Sequence, residues 1–217
     1  MRVCLASTSP ARLMLMHQAG IDPITIAPDV DEDAVIAAVE AAEGRTLAPA
    51  EHVLLLARRK AAAVVARLAD DDPEFDGLVV GGDSMFEING EVLGKPHDPE
   101  VARRRWHEMR GRTGILHSGH AVIRVLPGQA AHEVHEVAEA SVTFAADVTD
   151  AEIDAYVATG EPLQVAGAFT VDSLGGAFIE RVEGDPSTVV GMSLSTVRRL
   201  ARAVDVEWTS LWAPTDV

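Results

Sequence analysis

Cysteine is almost absent from this chain: Cys4 is the only one. No disulfide can form within the chain, and a lone cysteine fits a reducing compartment. Cys4 follows Val3 in a short apolar run, so it reads as a small buried hydrophobe. Long apolar runs are lacking too. None approaches the 18 residues of a membrane span. The apolar stretch behind Met1-Arg2 is too short for a signal peptide. The expectation is a cytoplasmic protein with no membrane partner. Positive charge is the third shortage. Eighteen Lys+Arg stand against 34 Asp+Glu, a formal net charge of −16. Such a chain repels a phosphate backbone, so nucleic acid is not an expected partner. A small phosphorylated ligand stays open, provided that basic residues gather locally or a metal assists.

Lysine is the scarcest charge. Sixteen of the 18 basic residues are Arg, and only Lys60 and Lys95 are Lys. An Arg-rich genome explains the rarity but not the two places where lysine stays. A compact ammonium offers a point charge that guanidinium cannot reproduce, which marks both as candidate site residues.

What is present suffices for a sizeable core: 217 residues, 47% of them hydrophobic, enough for one domain or two tight lobes. Arg2 to Ala6 reads as a buried first strand. Ser9 and Pro10 then suit the N-cap and first position of a helix running to about Ala19, with Gly20 as its stop. A short strand over 24–27, an acidic loop over 28–33 and a helix over 34–42 follow. Pro49 opens a long helix to about Leu68. Leu78 to Asp83 reads as a central strand, and Phe86 to Leu93 as a hairpin turning at Asn89-Gly90. A helix over 99–109, two long strands over 115–125 and 134–145, and a helix opened by the capping box Thr149–Glu152 come next. Gly-rich strands are expected over 167–184, and Ser195 as the cap of a last helix. Helices and strands mix throughout without an internal repeat. The class is α/β, one mixed β-sheet flanked by helices.

Five places could carry chemistry. Ser7-Thr8-Ser9-Pro10-Ala11-Arg12 sits where a strand ends and a helix begins. Free N–H groups and the helix dipole attract anions at such an edge. Alternatively Ser9 merely caps and Arg12 points to solvent. Lys60 shares a helical face with Val53, Leu56, Ala57 and Val64. A charge on an apolar stripe must be paired, reach a polar cavity or snorkel out; reaching inward is the favoured reading. Asp83 ends a strand after Gly81-Gly82, glycines that let a backbone or ligand come close. Its carboxylate could hold a metal or deprotonate a water, or be a plain turn aspartate with Ser84 beside it. Glu32, within an acidic triplet, is a metal ligand or a solvated acid. Leu93-Gly94-Lys95-Pro96 fixes the second lysine on a loop. It is not a P-loop, because Pro follows the Lys and the glycine spacing is wrong. The histidines show no zinc spacing, and His132 and His135 read as surface residues.

Together these pieces resemble the Maf family of nucleotide pyrophosphatases. Ser7–Arg12 resembles its Ser-x-Ser-Pro-Arg-Arg opening, with Ala11 in place of the first Arg. Leu56-Ala57-Arg58-Arg59-Lys60-Ala61 resembles Leu-Ala-x-x-Lys-Ala, and Gly81-Gly82-Asp83-Ser84 resembles Gly-Ala-Asp-Thr. Leu93–Pro96, Val165–Phe169 and Val189–Gly191 match in place and order. The resemblance covers nearly the whole chain as one domain, 1–217. It implies an elongated sheet with a central cleft between two lobes, similar to inosine triphosphatase-like folds. It further implies a divalent cation, Mg²⁺ or Mn²⁺, a nucleoside triphosphate substrate, cleavage between the α- and β-phosphates, and a homodimer. Asp83 carries over as the catalytic acid residue and, with Glu32, as a metal ligand. Ser7, Ser9, Arg12, Glu32, Lys60 and Lys95 carry over as substrate contacts. Ser84 and Asp172 stand at positions expected to touch the base, and neither is the family's usual residue there, so base preference stays open. The alternative is a non-enzymatic nucleotide-binding regulator of septum formation.

Overall fold

The computed structural model describes residues 1–213. In chain order the elements are β1 (Arg2–Ala6), α1 (Pro10–Gln18), β2 (Ile24–Thr25), α2 (Glu32–Glu43), α3 (Pro49–Asp71), β3 (Gly77–Ile88) and β4 (Glu91–Leu93). They continue with α4 (Pro99–Met109), β5 (Thr113–Val125), β6 (His132–Phe144), α5 (Asp150–Ala158), β7 (Ile179–Glu183), α6 (Pro186–Val190) and α7 (Leu194–Ala203). The strands form a seven-stranded mixed sheet in the order β2-β1-β3-β5-β6-β7, with β4 on β3. The α/β class read from the sequence is the class observed.

The chain divides into two compact units. Among the described residues the first comprises 1–83, 118–138 and 191–213; the second comprises 84–117 and 139–190. Strand β3 leaves the first unit between Asp83 and Ser84.

In the first unit β1 runs parallel to both β2 and β3, with Cys4 opposite Val79 and Ala6 opposite Gly81. Helix α3 buries Val53, Leu56, Ala57, Lys60 and Val64, the stripe that the wheel predicts, and with them Ala61 and Leu68. Its small residues pack with Cys4, Ala6, Val79, Ala121 and Ile123. Burial pushes the Cys4 thiol up to about 11, with Arg2 opposing, so the inert reading of this cysteine holds. Ala57, Ala61 and Gly81 explain one another. A Cβ on Gly81 would lie 2.3 Å from the Ala57 carbonyl oxygen and 2.9 Å from the Ala61 Cβ. Gly81 therefore lets α3 approach β3, and the close neighbour is a backbone rather than a ligand. Gly81→Ala is expected to lower stability by about 3 kcal/mol, the upper end for overpacking. The urea midpoint at unchanged m measures it.

In the second unit the core gathers around Trp106. Its ring makes edge contacts with Phe144, Tyr156 and Phe178 at 5.3–5.6 Å, and its Nε1 donates to the Ala168 carbonyl at 2.7 Å. The hairpin β3–β4 turns at Asn89 (φ 56°) and Gly90 (φ 78°), as the Asn-Gly pair predicts.

Three local readings need correction. Helix α2 starts two residues early, at Glu32, because the Asp31 side chain accepts from Ala34 N at 3.0 Å and caps it. The cap of α7 is Ser193, not Ser195: the buried Ser193 hydroxyl accepts from Thr196 N at 3.1 Å. The expected Gly-rich strands over 167–184 reduce to β7 alone. Before it come 3₁₀ turns at Glu161–Gln164, Ala166–Ala168 and Leu174–Phe178. Gly160 (φ 78°) and Gly167 (φ 75°) adopt left-handed conformations that break any strand there.

Candidate active site

The first unit assembles a charged cluster around Asp83. The sequence reading ends a strand at this residue, but β3 runs without a break from Gly77 to Ile88, so Asp83 lies inside the strand. Asp83 is the last residue of β3 within this unit. The apolar stripe of α3 carries Lys60 inward, where its Nζ lies 2.7 Å from Asp83 Oδ1 and 2.8 Å from Glu32 Oε1. The Lys60 side chain is 9% exposed, Asp83 14% and Glu32 47%, so the ammonium is buried and pairs with one partly buried and one solvated carboxylate. Of the three fates open to a charge on that stripe, pairing is the one observed. Glu32 reaches it because Asp31 starts α2 one residue before.

Arg12 completes the cluster. The Ser9 cap and Pro10 start α1, which turns Arg12 inward rather than to solvent; it is 9% exposed. Its Nε donates to the Gly191 carbonyl at 2.9 Å and its Nη1 to Ser7 Oγ at 3.2 Å. Ser7 Oγ also accepts from Ser9 N at 3.2 Å. Burial lowers the Arg12 pKa, and the charges of Asp83 and Glu32 oppose that shift. A Cβ on Gly82 would lie 3.2 Å from Arg12 Nε, so this glycine makes room for the guanidinium. Two residues that sequence reasoning missed close the arrangement. Ser118 on β5 donates its hydroxyl toward the carbonyls of Asp83 (3.4 Å) and Gly191 (3.3 Å). Gly191 lies in a quoted motif, yet only its carbonyl, used by both Arg12 and Ser118, reveals a role. No spacing signal points to Ser118.

The structure thus brings together Ser7, Ser9, Arg12, Glu32, Lys60 and Asp83. Two cations, Arg12 and Lys60, face two anions, Asp83 and Glu32, so the cluster is locally neutral. A triphosphate carries about four negative charges near neutral pH. Such a site needs further positive charge to hold one. Two hard carboxylate oxygens fit Mg²⁺, which takes one or two protein carboxylates and completes its shell with water and substrate phosphate oxygens. Among the described residues no group of three or more His, Cys, Asp or Glu is arranged to hold a metal unaided.

Ser84, Lys95 and Asp172 belong to the second unit. Lys95 is exposed on the loop after β4, and Arg105 on α4 fixes that loop by donating from Nη1 to the Gly94 carbonyl at 2.5 Å. Asp172 is exposed on the segment that ends in the 3₁₀ turn Leu174–Phe178. That segment is tied to one carboxylate absent from the sequence reading, Glu161. Its Oε1 accepts from Tyr156 Oη (2.9 Å), Thr170 Oγ1 (2.5 Å) and Gly175 N (3.1 Å). Its Oε2 accepts from Ser173 Oγ (2.7 Å) and Leu174 N (3.4 Å). Burial pushes this carboxyl up, but the donors from Thr170, Ser173, Gly175 and Tyr156 outweigh it and hold it down at about 2. A depressed pKa of this kind stabilises the fold above the ordinary carboxylate range, and the contribution fades as pH falls toward 2. A second missed group is His117, buried between Glu139 (Nδ1, 3.0 Å) and Glu87 (Nε2, 3.1 Å). His132 and His135 are exposed, as expected.

Comparison with known proteins agrees with the motif reading. The family described as "Maf-like protein" matches residues 2–204. A protein of Leifsonia xyli subsp. xyli named nucleoside triphosphate pyrophosphatase is 61% identical over 212 residues, 98% of this chain and 97% of that one. A Nocardia farcinica protein of the same name is 51% identical over 210 residues, 96% of this chain and 95% of its own. The Staphylococcus aureus Ham1 protein structure aligns over 67% of this chain and 73% of that one, with a TM-score of 0.34 and 12% identity.

Proposed function

From the chain's membership of the Maf-like family, we propose that it is a nucleoside triphosphate pyrophosphatase, hydrolysing the α–β phosphoanhydride to a nucleoside monophosphate and pyrophosphate. The observation that carries the reading is the charge cluster of Arg12, Lys60, Asp83 and Glu32: Lys60 pairs closely with both carboxylates, and the buried Arg12 feels the charge of both. A family of relatives carrying the pyrophosphatase name supports it. The non-enzymatic regulator is not favoured: mere binding of a nucleotide does not call for a carboxylate base buried against a lysine.

Arg12 supplies a fixed charge, preset by Ser7 and the Gly191 carbonyl. Lys60 supplies a compact one. Phosphoryl chemistry needs mainly positioning and charge stabilisation, and these two groups offset the charge growing on the phosphate oxygens. Asp83 accepts the proton of the attacking water as the new P–O bond forms and the bridging oxygen leaves with pyrophosphate. Ser7, Ser9 and the N-terminus of α1 contribute O–H and N–H donors to phosphate oxygens. A divalent cation, Mg²⁺ or Mn²⁺, would be held by Asp83 and Glu32 with phosphate oxygens, and would supply the positive charge that the neutral cluster lacks.

The test is turnover of a nucleotide panel, with monophosphate and pyrophosphate assayed separately. Both products in equal amounts are expected. Inorganic phosphate with a diphosphate would place the cut elsewhere and reject the reading. Chelation by EDTA is expected to abolish turnover and excess Mg²⁺ to restore it. Full activity in EDTA would remove the cation from the scheme.

A further inference from the structure

His120 on β5 is fully buried in the first unit, and no step of the hydrolysis uses it. A side chain that only filled space there would be apolar, because burying a polar ring without a hydrogen bond is costly. The ring has a specific partner. Its Nε2 accepts from the Ser193 N–H at 2.9 Å, a bond made inside the core. Nε2 is therefore the ring nitrogen without a proton. Ser193 is the N-cap of α7, and the N–H of an N-cap lies outside its helix, so α7 holds no carbonyl for it. Ser193 is thus pinned from both directions. Its hydroxyl and carbonyl accept from α7, from Thr196 N at 3.1 Å and Val197 N at 3.0 Å, while its N–H goes to His120. Two residues upstream lies Gly191, and Met192 between them is fully buried. The Gly191 carbonyl accepts from Arg12 Nε at 2.9 Å and from Ser118 Oγ at 3.3 Å. Together with Ser7 Oγ at Nη1, this carbonyl fixes the plane of the Arg12 guanidinium at two nitrogens.

We infer that His120 is a positioning residue for Arg12: by anchoring Ser193 it holds the Gly191 carbonyl where that carbonyl sets the angle of the guanidinium. The inference rests on the pyrophosphatase reading, in which Arg12 meets phosphate oxygens, and every residue it names lies in the first unit. His120 touches no reacting atom. Its effect runs through one acceptor atom, at the position of Nε2. In His120→Gln the amide oxygen can take that place, whereas His120→Leu fills the space and accepts nothing. The Ser193 N–H is then left buried without this acceptor, and the segment shifts to satisfy it elsewhere.

The experiment compares the wild type, His120→Leu and His120→Gln in two ways. One is kcat and KM for the best nucleoside triphosphate of the panel with Mg²⁺. The other is the water exchange of the Arg12 Nε–H in ¹H–¹⁵N spectra, its signal assigned by its loss in Arg12→Lys. A displacement of about 1 Å costs about 10²-fold, so kcat/KM should fall about 10- to 100-fold in His120→Leu and stay within about 3-fold in His120→Gln. The Arg12 Nε–H should exchange faster in His120→Leu and not in His120→Gln. Arg12→Lys has no planar fork to orient, so adding His120→Leu to it should cause no further loss of kcat/KM. Ser193→Pro and Ser193→Ala serve where His120→Leu does not fold. Both lack the capping hydroxyl, but only proline lacks the N–H, and its φ fits the −73° of Ser193. Ser193→Pro should therefore lose more turnover than Ser193→Ala. Equal kinetics in the two His120 variants or in the two Ser193 variants, an unchanged Arg12 Nε–H in His120→Leu, or additive losses in the double variant would overturn the inference. A wild type that hydrolyses no triphosphate would sink the pyrophosphatase reading, while the Arg12 exchange still decides whether His120 holds the guanidinium.

Discussion

Asp83→Asn is expected to fold and bind nucleotide but to lose about 10²–10⁴-fold in kcat, the usual contribution of a positioned general base. The substitution keeps the shape of the side chain and one oxygen for Lys60 Nζ, now 2.7 Å from Oδ1. It removes the negative charge and the proton acceptor together. KM should move far less than kcat, since the phosphate contacts of Arg12 and Lys60 stay in place. Steady-state kinetics on the best nucleotide, with a thermal melt as the folding control, measures it. An active Asp83→Asn enzyme would take the base role away from Asp83 and pass it to Glu32, the other carboxylate on the same lysine.

Lys60→Met is expected to cost both stability and turnover, for separable reasons. Breaking a buried pair by deleting one partner costs about 3–5 kcal/mol, because the other charge stays buried and uncompensated. The lower end applies here. Glu32 can turn to water, and Arg12 still offsets Asp83. At about 3 kcal/mol the melting temperature of a chain this long falls by about 6–12 °C. Turnover should fall about 10²–10³-fold, as when one preorganised donor to a developing negative charge is removed. Lys60→Arg should not rescue either property, since a planar fork cannot sit where one Nζ meets two carboxylates. Adding Asp83→Asn to Lys60→Met should return most of the lost stability and none of the activity. Removing both partners leaves no orphaned charge, but it also leaves no base. If Lys60→Met melts and turns over like the wild type, the ion-pair reading fails.

Local chemistry was legible in the sequence wherever neighbours in the chain decide it. Ser9-Pro10 starts α1, Asn89-Gly90 turns the hairpin, and Thr149 with Glu152 caps α5 by reciprocal hydrogen bonds. The stripe of α3 announces that Lys60 points inward, because burial at every third or fourth residue is a property of the helix itself. It does not announce that Lys60 meets Asp83, 23 residues on, or that Glu32 shares it. The Gly-rich run 167–184 misled for the same reason. Its glycines suit strands or turns equally, and a carboxylate at Glu161 decides for turns by gathering donors that span 156 to 175.

The sequence by itself determined which residues could be buried, capped or turned, since propensity and periodicity act over a few residues. Only the tertiary structure decided the partners. The Arg12 guanidinium takes the Gly191 carbonyl, 179 residues away, and Ser118 ties that same carbonyl to the Asp83 backbone. Every backbone carbonyl looks alike in a sequence. Which one is left open to a buried guanidinium depends on where the chain returns after the helices and strands have packed.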